Sequence, residues 1–381
     1  MQSHTKAAFL LILMLVISTL TGCLELGTVD EYIEYDEDEF SSTLQEYIQD
    51  NLENEGLTGA AVAIIYGDEI VFAEGFGYRD VEAGLPVTTE TLFHIGSTNK
   101  SMTAMLTAIL IDEGYFNWDT PAVEIYPYFA LADAEWTESV TLRHLLSMQS
   151  GIPDYAEDDF DIDNASAEDL FDYVRTAPLE GYPGEAFSYS NISASLAGYL
   201  DVIATGYDSP GLYDGYANLL KDKVLDPIGM DGAVVRYSDA VRSPNYGKSY
   251  YGDGTEAEAE DFDGDPLAPS GVVKASVMDM AYYISTQLNE GIAPNGTRVV
   301  SAAALKETWQ PSLDEYGMGW QNSTYAGYDV ISHEGSFDNY LSVIGFVPEL
   351  ELGFVVLTNS EEAGGELIEG LPKYVIDYWD E

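Results

Sequence analysis

Strands at both ends of the chain with helices between them predict a mixed α/β (α+β) fold, an antiparallel sheet flanked by helices with a mostly helical subdomain inserted. Three observations carry that prediction. Residues 60–66 and 70–76 are β-rich runs joined by Gly67-Asp68-Glu69, which reads as a hairpin. Residues 340–347 and 352–358 form a second pair of apolar runs, parted by a turn at Pro348-Glu349. Between the two pairs, apolar positions follow helical spacing rather than alternation.

The elements follow in order. Residues 41–54 place Leu44, Tyr47, Ile48 and Leu52 on one side of a helix. Residues 98–113 form a strongly apolar helix stopped by Gly114. Helical fragments and loops fill residues 122–230, and another helix starts near Ser276. The acidic, glycine-containing stretch 253–265 reads as a surface loop. No repeat of 20–50 residues is present.

Composition narrows the class. A chain of 381 residues with 46% hydrophobic and 12% aromatic residues can bury a sizeable core, which excludes global disorder. Its 67 Asp and Glu outnumber 14 Lys and Arg, for a formal net charge of −53. Such a field repels nucleic acid and anionic lipid surfaces, so no nucleic-acid partner is expected. Self-repulsion on that scale is screened in molar salt, where the Debye length is about 3 Å, and points to a halophilic setting.

The N-terminus reads as an export signal. Lys6 precedes the apolar run 7–16, which leads into Leu20-Thr21-Gly22-Cys23. The last four residues resemble a lipobox, in which the cysteine is lipidated. Cys23 is the sole cysteine, so the fold has no internal disulfide. Removing residues 1–22 takes away one cation and no anion, moving the charge from −53 to −54. Residues 24–39 are acidic and weakly periodic, as a tether would be. The expected location is the outer face of the cytoplasmic membrane.

Three short motifs carry chemistry. Ser97-Thr98-Asn99-Lys100 begins the apolar helix, where positions i and i+3 share a face and the lysine reaches the serine hydroxyl. A serine alcohol needs such a neighbour to take its proton. Only eight lysines occur in the chain, so one in the first turn of an apolar helix needs a reason. Ser3-His4-Thr5-Lys6 matches the same pattern inside the signal. Tyr189-Ser190-Asn191 follows the turn Pro183-Gly184-Glu185; its phenol can relay a proton where nearby cations favour ionisation, and its amide can bond a lysine and a substrate. Tyr115-Phe116-Asn117 and Tyr216-Ala217-Asn218 repeat the pattern in apolar or helical stretches and read as packing residues. His333-Glu334-Gly335-Ser336 places a histidine on an edge strand, able to donate to a substrate carboxylate or the tyrosine oxygen. Gly335 lets substrate approach the backbone, and the Ser336 and Ser97 amides suit an oxyanion hole. His94-Ile95-Gly96 is a second His-x-Gly, too near Ser97 to form a separate wall.

Taken jointly, the order and spacing of Ser-x-x-Lys, Tyr-x-Asn and His-x-Gly resemble the class C β-lactamase and D-Ala-D-Ala carboxypeptidase (penicillin-binding protein) family. Ser-x-x-Lys is also a general signature of class A β-lactamases and penicillin-binding proteins. Supporting segments are Leu142-Arg143-His144-Leu145-Leu146-Ser147 with Ser150-Gly151-Ile152-Pro153, Pro269-Ser270-Gly271, Tyr316-Gly317-Met318-Gly319-Trp320 and Val355-Val356-Leu357-Thr358-Asn359. The resemblance implies a β-lactamase/DD-peptidase-like fold. It implies an acyl-enzyme with Ser97, Lys100 and Tyr189 catalytic, and Asn191, His333, Gly335 and Ser336 binding substrate or oxyanion. The chain then divides into a signal (1–22), a lipidated Cys23 with tether (23–40) and a hydrolase domain (41–381). The third motif reads His-Glu-Gly where true β-lactamases often have Lys-Thr-Gly, which favours a peptidase or esterase on a small amide, ester or peptide. A β-lactamase and a slowly acylating sensor protein are the alternatives. No cofactor or metal is expected: Glu157, Asp159 and Asp161 lack the glycine of a calcium loop, and four histidines and one cysteine give no zinc spacing. Asn164, Asn295 and Asn322 lie in glycosylation sequons.

Overall fold

The computed structural model describes residues 37–258 and 262–380. The signal-like run, Cys23 and nearly all of the tether lie outside them. Nine strands are present among these residues: β1 (Gly59–Tyr66), β2 (Glu69–Asp80), β3 (Leu85–Pro86), β4 (Phe93–His94), β5 (Lys274–Ala275), β6 (Gln321–Tyr325), β7 (Tyr328–Phe337), β8 (Tyr340–Val347) and β9 (Leu352–Thr358). Seven form one antiparallel sheet in the order β3-β2-β1-β9-β8-β7-β6, and β4 pairs with β5 separately. The two predicted strand pairs meet in the middle, because β1 pairs with β9 from Ala60↔Thr358 to Tyr66↔Leu352.

β1 and β9 are buried along both faces, so they read as continuous apolar runs. Pleating sends Ala61, Ala63 and Ile65 into the large core shared with the helix Val277–Leu288. That helix starts where predicted: the Ser276 hydroxyl accepts from the Asp279 amide while the Asp279 carboxylate accepts from the Ser276 amide. The opposite face meets the terminal helices, Glu37–Glu55 and Glu361–Asp380. The first begins ahead of Ser41 because Phe40 is fully buried, its ring 4.6 Å from Trp379. The final helix starts after Ser360, whose hydroxyl accepts from the Ala363 amide at 3.5 Å, with Glu361 and Glu362 in its first turn.

The inserted part is helical, as expected. At its centre the helix Asn99–Asp112 is buried all round from Asn99 to Leu110. Its polar residues there are tied to neighbouring backbone. Asn99 donates to the Ala268 carbonyl at 3.1 Å and Thr103 to that of Pro269 at 2.7 Å. This explains Pro269-Ser270-Gly271: the segment is a polar splint along the helix. Asn359, ending the Val-Val-Leu-Thr-Asn run, donates to the Tyr78 and Lys248 carbonyls at 3.0 Å each.

Two expectations are corrected. Stretch 253–265 is exposed over most of its length, but its far end is anchored by Phe262, 4.6 Å from the Phe337 ring, and Asp265 is half-buried. Of the two other Tyr-x-Asn segments, only one packs as expected. Tyr216 is buried and hydrogen-bonded to Thr103 at 2.8 Å, whereas Tyr115 is half exposed and packs little. No described helix is long and apolar enough to cross a membrane.

Candidate active site

Ser97 sits in a short 3-10 turn, Gly96–Thr98, that runs directly into the Asn99–Asp112 helix. It is the one part-exposed residue in a stretch otherwise buried from Thr91 to Leu110. Three residues on, Lys100 is 1% exposed. Its Nζ donates to Ser97 Oγ at 2.9 Å, Asn191 Oδ1 at 2.7 Å and the Ser270 carbonyl at 2.9 Å. Burial pushes the pKa of the Lys100 ammonium down to about 7, against the pull of the nearby Glu157 carboxylate.

That geometry decides what the neutral amine can do. The Asn191 and Ser270 oxygens only accept, so they take the two remaining N–H groups. The lone pair is then left facing the Ser97 hydroxyl.

Tyr189 and Asn191 arrive from the other side. The turn at Gly184 is pinned by its amide to the Gln149 carbonyl at 2.9 Å, and Ser188 bonds the Met148 carbonyl at 2.8 Å. Ser190 then caps the Asn191–Thr205 helix by accepting from the Ser193 amide. One residue before that cap, Tyr189 is presented to the site; one after it, Asn191 stands at the first helical position. The Tyr189 phenol shares a hydrogen bond with Ser97, and burial raises its pKa. Lys100 Nζ lies over the Tyr189 ring, 4.8 Å from its centre. The expectation that cations would favour the phenolate is therefore corrected. Burial, helped by the Glu157 charge, outweighs the hydrogen bond with Ser97, and the group stays a phenol, a proton donor.

The third wall is the end of β7. It is not a sheet edge as a whole, since β6 lies outside it. Yet β6 pairs only as far as Gln321↔Ser332, so His333–Phe337 overhang as a local edge facing Ser97. Here the backbones touch. A Cβ on Gly335 would lie 2.1 Å from the Ile95 carbonyl and 2.9 Å from the Ser97 amide, and one on Gly96, at φ +52°, would lie 2.7 Å from the Ser336 amide. Gly335 thus makes room for the nucleophile's turn rather than for substrate. The contact also brings the Ser97 and Ser336 amides side by side, as an oxyanion hole requires. The Ser336 hydroxyl turns to Glu361 at 2.6 Å.

His333 departs from its expected role. Its Nδ1–H donates to the Glu334 carbonyl, an acceptor only, so Nε2 must accept from the Tyr316 hydroxyl at 3.0 Å. No donor remains for a substrate carboxylate or for Tyr189. Burial, aided by the Lys100 charge, lowers its pKa to about 4. The ring lies 6.2 Å from that of Tyr189, so it acts by packing. Alternation along β7 turns the exposed Glu334 side chain away from His333, towards a groove it shares with Ser332. A pocket of about 350 Å³ opens beside the site, lined by Phe187, Tyr189, Asp314, Tyr316, Gln321, His333 and Glu334.

Two site residues carry no signal of their role in the sequence. Tyr316 stands out there only as part of a supporting segment, and Glu157 only as a failed calcium ligand. Glu157 Oε2 accepts from Asn191 Nδ2 at 3.0 Å, which fixes the amide with its oxygen towards Lys100. Met148 packs with Ala194 and Tyr316 beneath Tyr189 and Phe187. Among the described residues no group of three or more His, Cys, Asp or Glu is placed to hold a metal.

Comparison with known proteins agrees with this geometry. A model of the family described as Beta-lactamase matches residues 44–372. Penicillin-binding protein 4 of Amycolatopsis lactamdurans is 30% identical over 320 residues, covering 79% of this chain and 80% of that protein. Unguisins hydrolase ungD of Aspergillus violaceofuscus is 25% identical over 342 residues; the match takes in 80% of this chain but 58% of that longer protein. Among solved structures, the octameric penicillin-binding protein homologue from Pyrococcus abyssi superposes with a TM-score of 0.74 at 26% identity, covering 88% of this chain and 77% of that one.

Proposed function

The chain belongs to the beta-lactamase family, and on that premise we propose that it is a serine hydrolase of small esters, amides or peptides, working through an acyl-enzyme on Ser97. The observation that carries the reading is the three-way bonding of Lys100, which leaves the neutral amine one direction for its lone pair. Lys100 takes the Ser97 proton as Oγ bonds the carbonyl carbon. The oxyanion forms against the Ser97 and Ser336 amides. As the bond to the leaving group breaks, the Tyr189 phenol gives it a proton and recovers one from Lys100. Water then repeats the sequence in reverse roles, releasing the acid and free Ser97.

Substrates without a carboxylate suit this site best. Lys100 is committed to Ser97, His333 is neutral, and no Lys or Arg lines the adjoining pocket. A penicillin carboxylate would find no cation there, so β-lactam hydrolysis is not the main activity. The aromatic pocket receives an apolar leaving group. A charge of −53 suits concentrated salt, and the lipobox-like residues support export and anchoring through Cys23 at the outer face of the membrane.

Labelling by a fluorescent fluorophosphonate in molar KCl tests the reading. Wild-type protein is expected to label and Ser97→Ala to stay dark, with the labelling rate rising through about pH 7 as Lys100 loses its proton. A folded wild type that stays unlabelled would sink the hydrolase and leave a binding protein.

A further inference from the structure

A short helix spans Leu142–Leu146, and the chain leaves it through Ser147 and Met148. The Gln149 amide closes its end by donating to the His144 carbonyl at 2.8 Å. In such a closure the residue after the cap takes the left-handed conformation and is usually glycine. Here it is Met148, at φ +60°. Eight of the described non-glycine residues have positive φ, and Met148 alone among them is buried, at 1% exposure. A conformation that disfavours any Cβ persists only where the surroundings over-determine it, which points to a task for this side chain.

That task lies on both sides of Tyr189. The Met148 carbonyl accepts from the Ser188 amide at 2.8 Å, and Met148 Sδ accepts from the Ser190 amide at 3.4 Å. One residue thus holds the backbone immediately before and immediately after the phenol. The sulfur bond stands in for one that the helix does not make. In a capping box, the third helical residue's side chain accepts from the amide of the cap. That residue is Ser193, whose hydroxyl is instead turned to the Leu145 carbonyl and the Ser150 hydroxyl, at 3.0 and 2.8 Å. A buried amide needs an acceptor, and Met148 supplies it. The same side chain packs against Tyr316, whose ring crosses that of Tyr189 and whose hydroxyl bonds His333.

We propose that Met148 is a positioning residue for the proton donor: its carbonyl and sulfur fix the chain on either side of Tyr189, so that the phenol stays at the Ser97 hydroxyl and can protonate the leaving group. The inference rests on the acyl-enzyme reading. Glycine at this position would relax the turn but keep only the carbonyl bond. Leucine would fill the space and strand the Ser190 amide. A thioether on an unbranched stem serves the backbone bond and the aromatic packing together.

The test uses the full chain in molar KCl and a pair of acetate esters whose leaving groups are alike in shape. p-Nitrophenyl acetate expels a phenolate that needs no proton, whereas p-nitrobenzyl acetate expels an alkoxide that must take one from Tyr189. They share an acyl group, and kcat/KM reports acylation. Met148→Leu keeps the core volume. In it, kcat/KM for the benzyl ester is expected to fall about tenfold, part of the roughly 10²–10⁴ that a general acid contributes. The phenyl ester, and fluorophosphonate labelling, which expels fluoride, are expected to stay within about threefold of wild type. Tyr189→Phe gives the full size of that split. Met148→His should return the ratio towards wild type, since histidine tolerates this φ and carries Nδ1 as many bonds from Cα as Sδ. A parallel fall in both esters and in labelling would mark a merely structural role, and an unchanged benzyl ester would mark none. Either result overturns the proposal and leaves a labelled hydrolase. Should Met148→Leu not fold, Met148→His decides alone: a wild-type ratio supports the proposal, and a ratio near that of Tyr189→Phe overturns it. A wild type that stays dark removes both readings together.

Discussion

His94-Ile95-Gly96 and His333-Glu334-Gly335 share a pattern and meet at one junction, yet their histidines live in different surroundings. The glycines act alike: each lacks the Cβ that would drive the Ser97 turn and the end of β7 apart. The histidines do not. His333 is bonded at both nitrogens and packs beside Tyr189. His94 points the other way. Its ring stacks on Phe337 at 5.1 Å, and neither of its nitrogens has a hydrogen-bond partner. Burial and the nearby Lys274 keep it neutral, well below the usual imidazole range. A tripeptide pattern therefore assigns the backbone contact reliably and the side chain's job not at all; that job depends on what the ring faces.

The largest effect should come from breaking what the two segments share. Gly335→Ala forces a methyl group onto the Ile95 carbonyl and shifts the nucleophile's turn. The labelling rate is expected to fall by about a hundredfold, since a misplacement near 1 Å costs that much. A rate within a few-fold of wild type would show that the junction does not position Ser97.

A smaller effect separates the histidines. His333→Leu strands the Tyr316 hydroxyl and loosens the wall beside Tyr189, with an expected drop of about tenfold in kcat/KM. His94→Phe keeps the ring stack and removes two unpartnered nitrogens. Its activity is expected within about twofold of wild type and its Tm a few degrees higher, for a gain of about 1 kcal/mol. An inactive, well-folded His94→Phe would erase the distinction.

The smallest effect lies in pH. Both imidazoles have folded pKa values below the ordinary 6.5, so the unfolded chain takes up protons that the folded chain refuses. Their contribution is whole above about pH 6.5 and is lost as pH falls, towards about 4 for His333. Asp265, raised to about 6 by burial, works in the opposite sense over part of that range. The difference between wild type and His94→Phe isolates one group. Thermal unfolding from about pH 7.5 to about 4.5 should show a flatter decline in the variant.

Much of this is legible in the sequence because it is written in local chemistry. The strands 60–66, 340–347 and 352–358, and the helix stopped by Gly114, have period and punctuation of their own. Ser97 and Lys100 are one helical turn apart, so their contact follows from spacing. Glu157, Tyr316 and Ser270 are not legible as site residues. Each reaches the centre from a different segment, and a lone Glu among 67 acidic residues carries no mark. His333 is legible as a wall residue but not in its bonding, which Tyr316 and the Glu334 carbonyl decide.

Residue order thus specified the sheet-and-helix class, the Ser97–Lys100 pair, the acidic surface and the three motifs of the cleft, all features that turn on neighbours within a few positions. Tertiary structure decided the protonation states and the division of labour. Lys100 is a base because Asn191 and Ser270, 91 and 170 residues away, occupy its other protons. Tyr189 is a phenol because burial outweighs the hydrogen bond it shares with Ser97. Desolvation and hydrogen-bond direction arise only when distant segments close around a group, and no spacing along the chain encodes them.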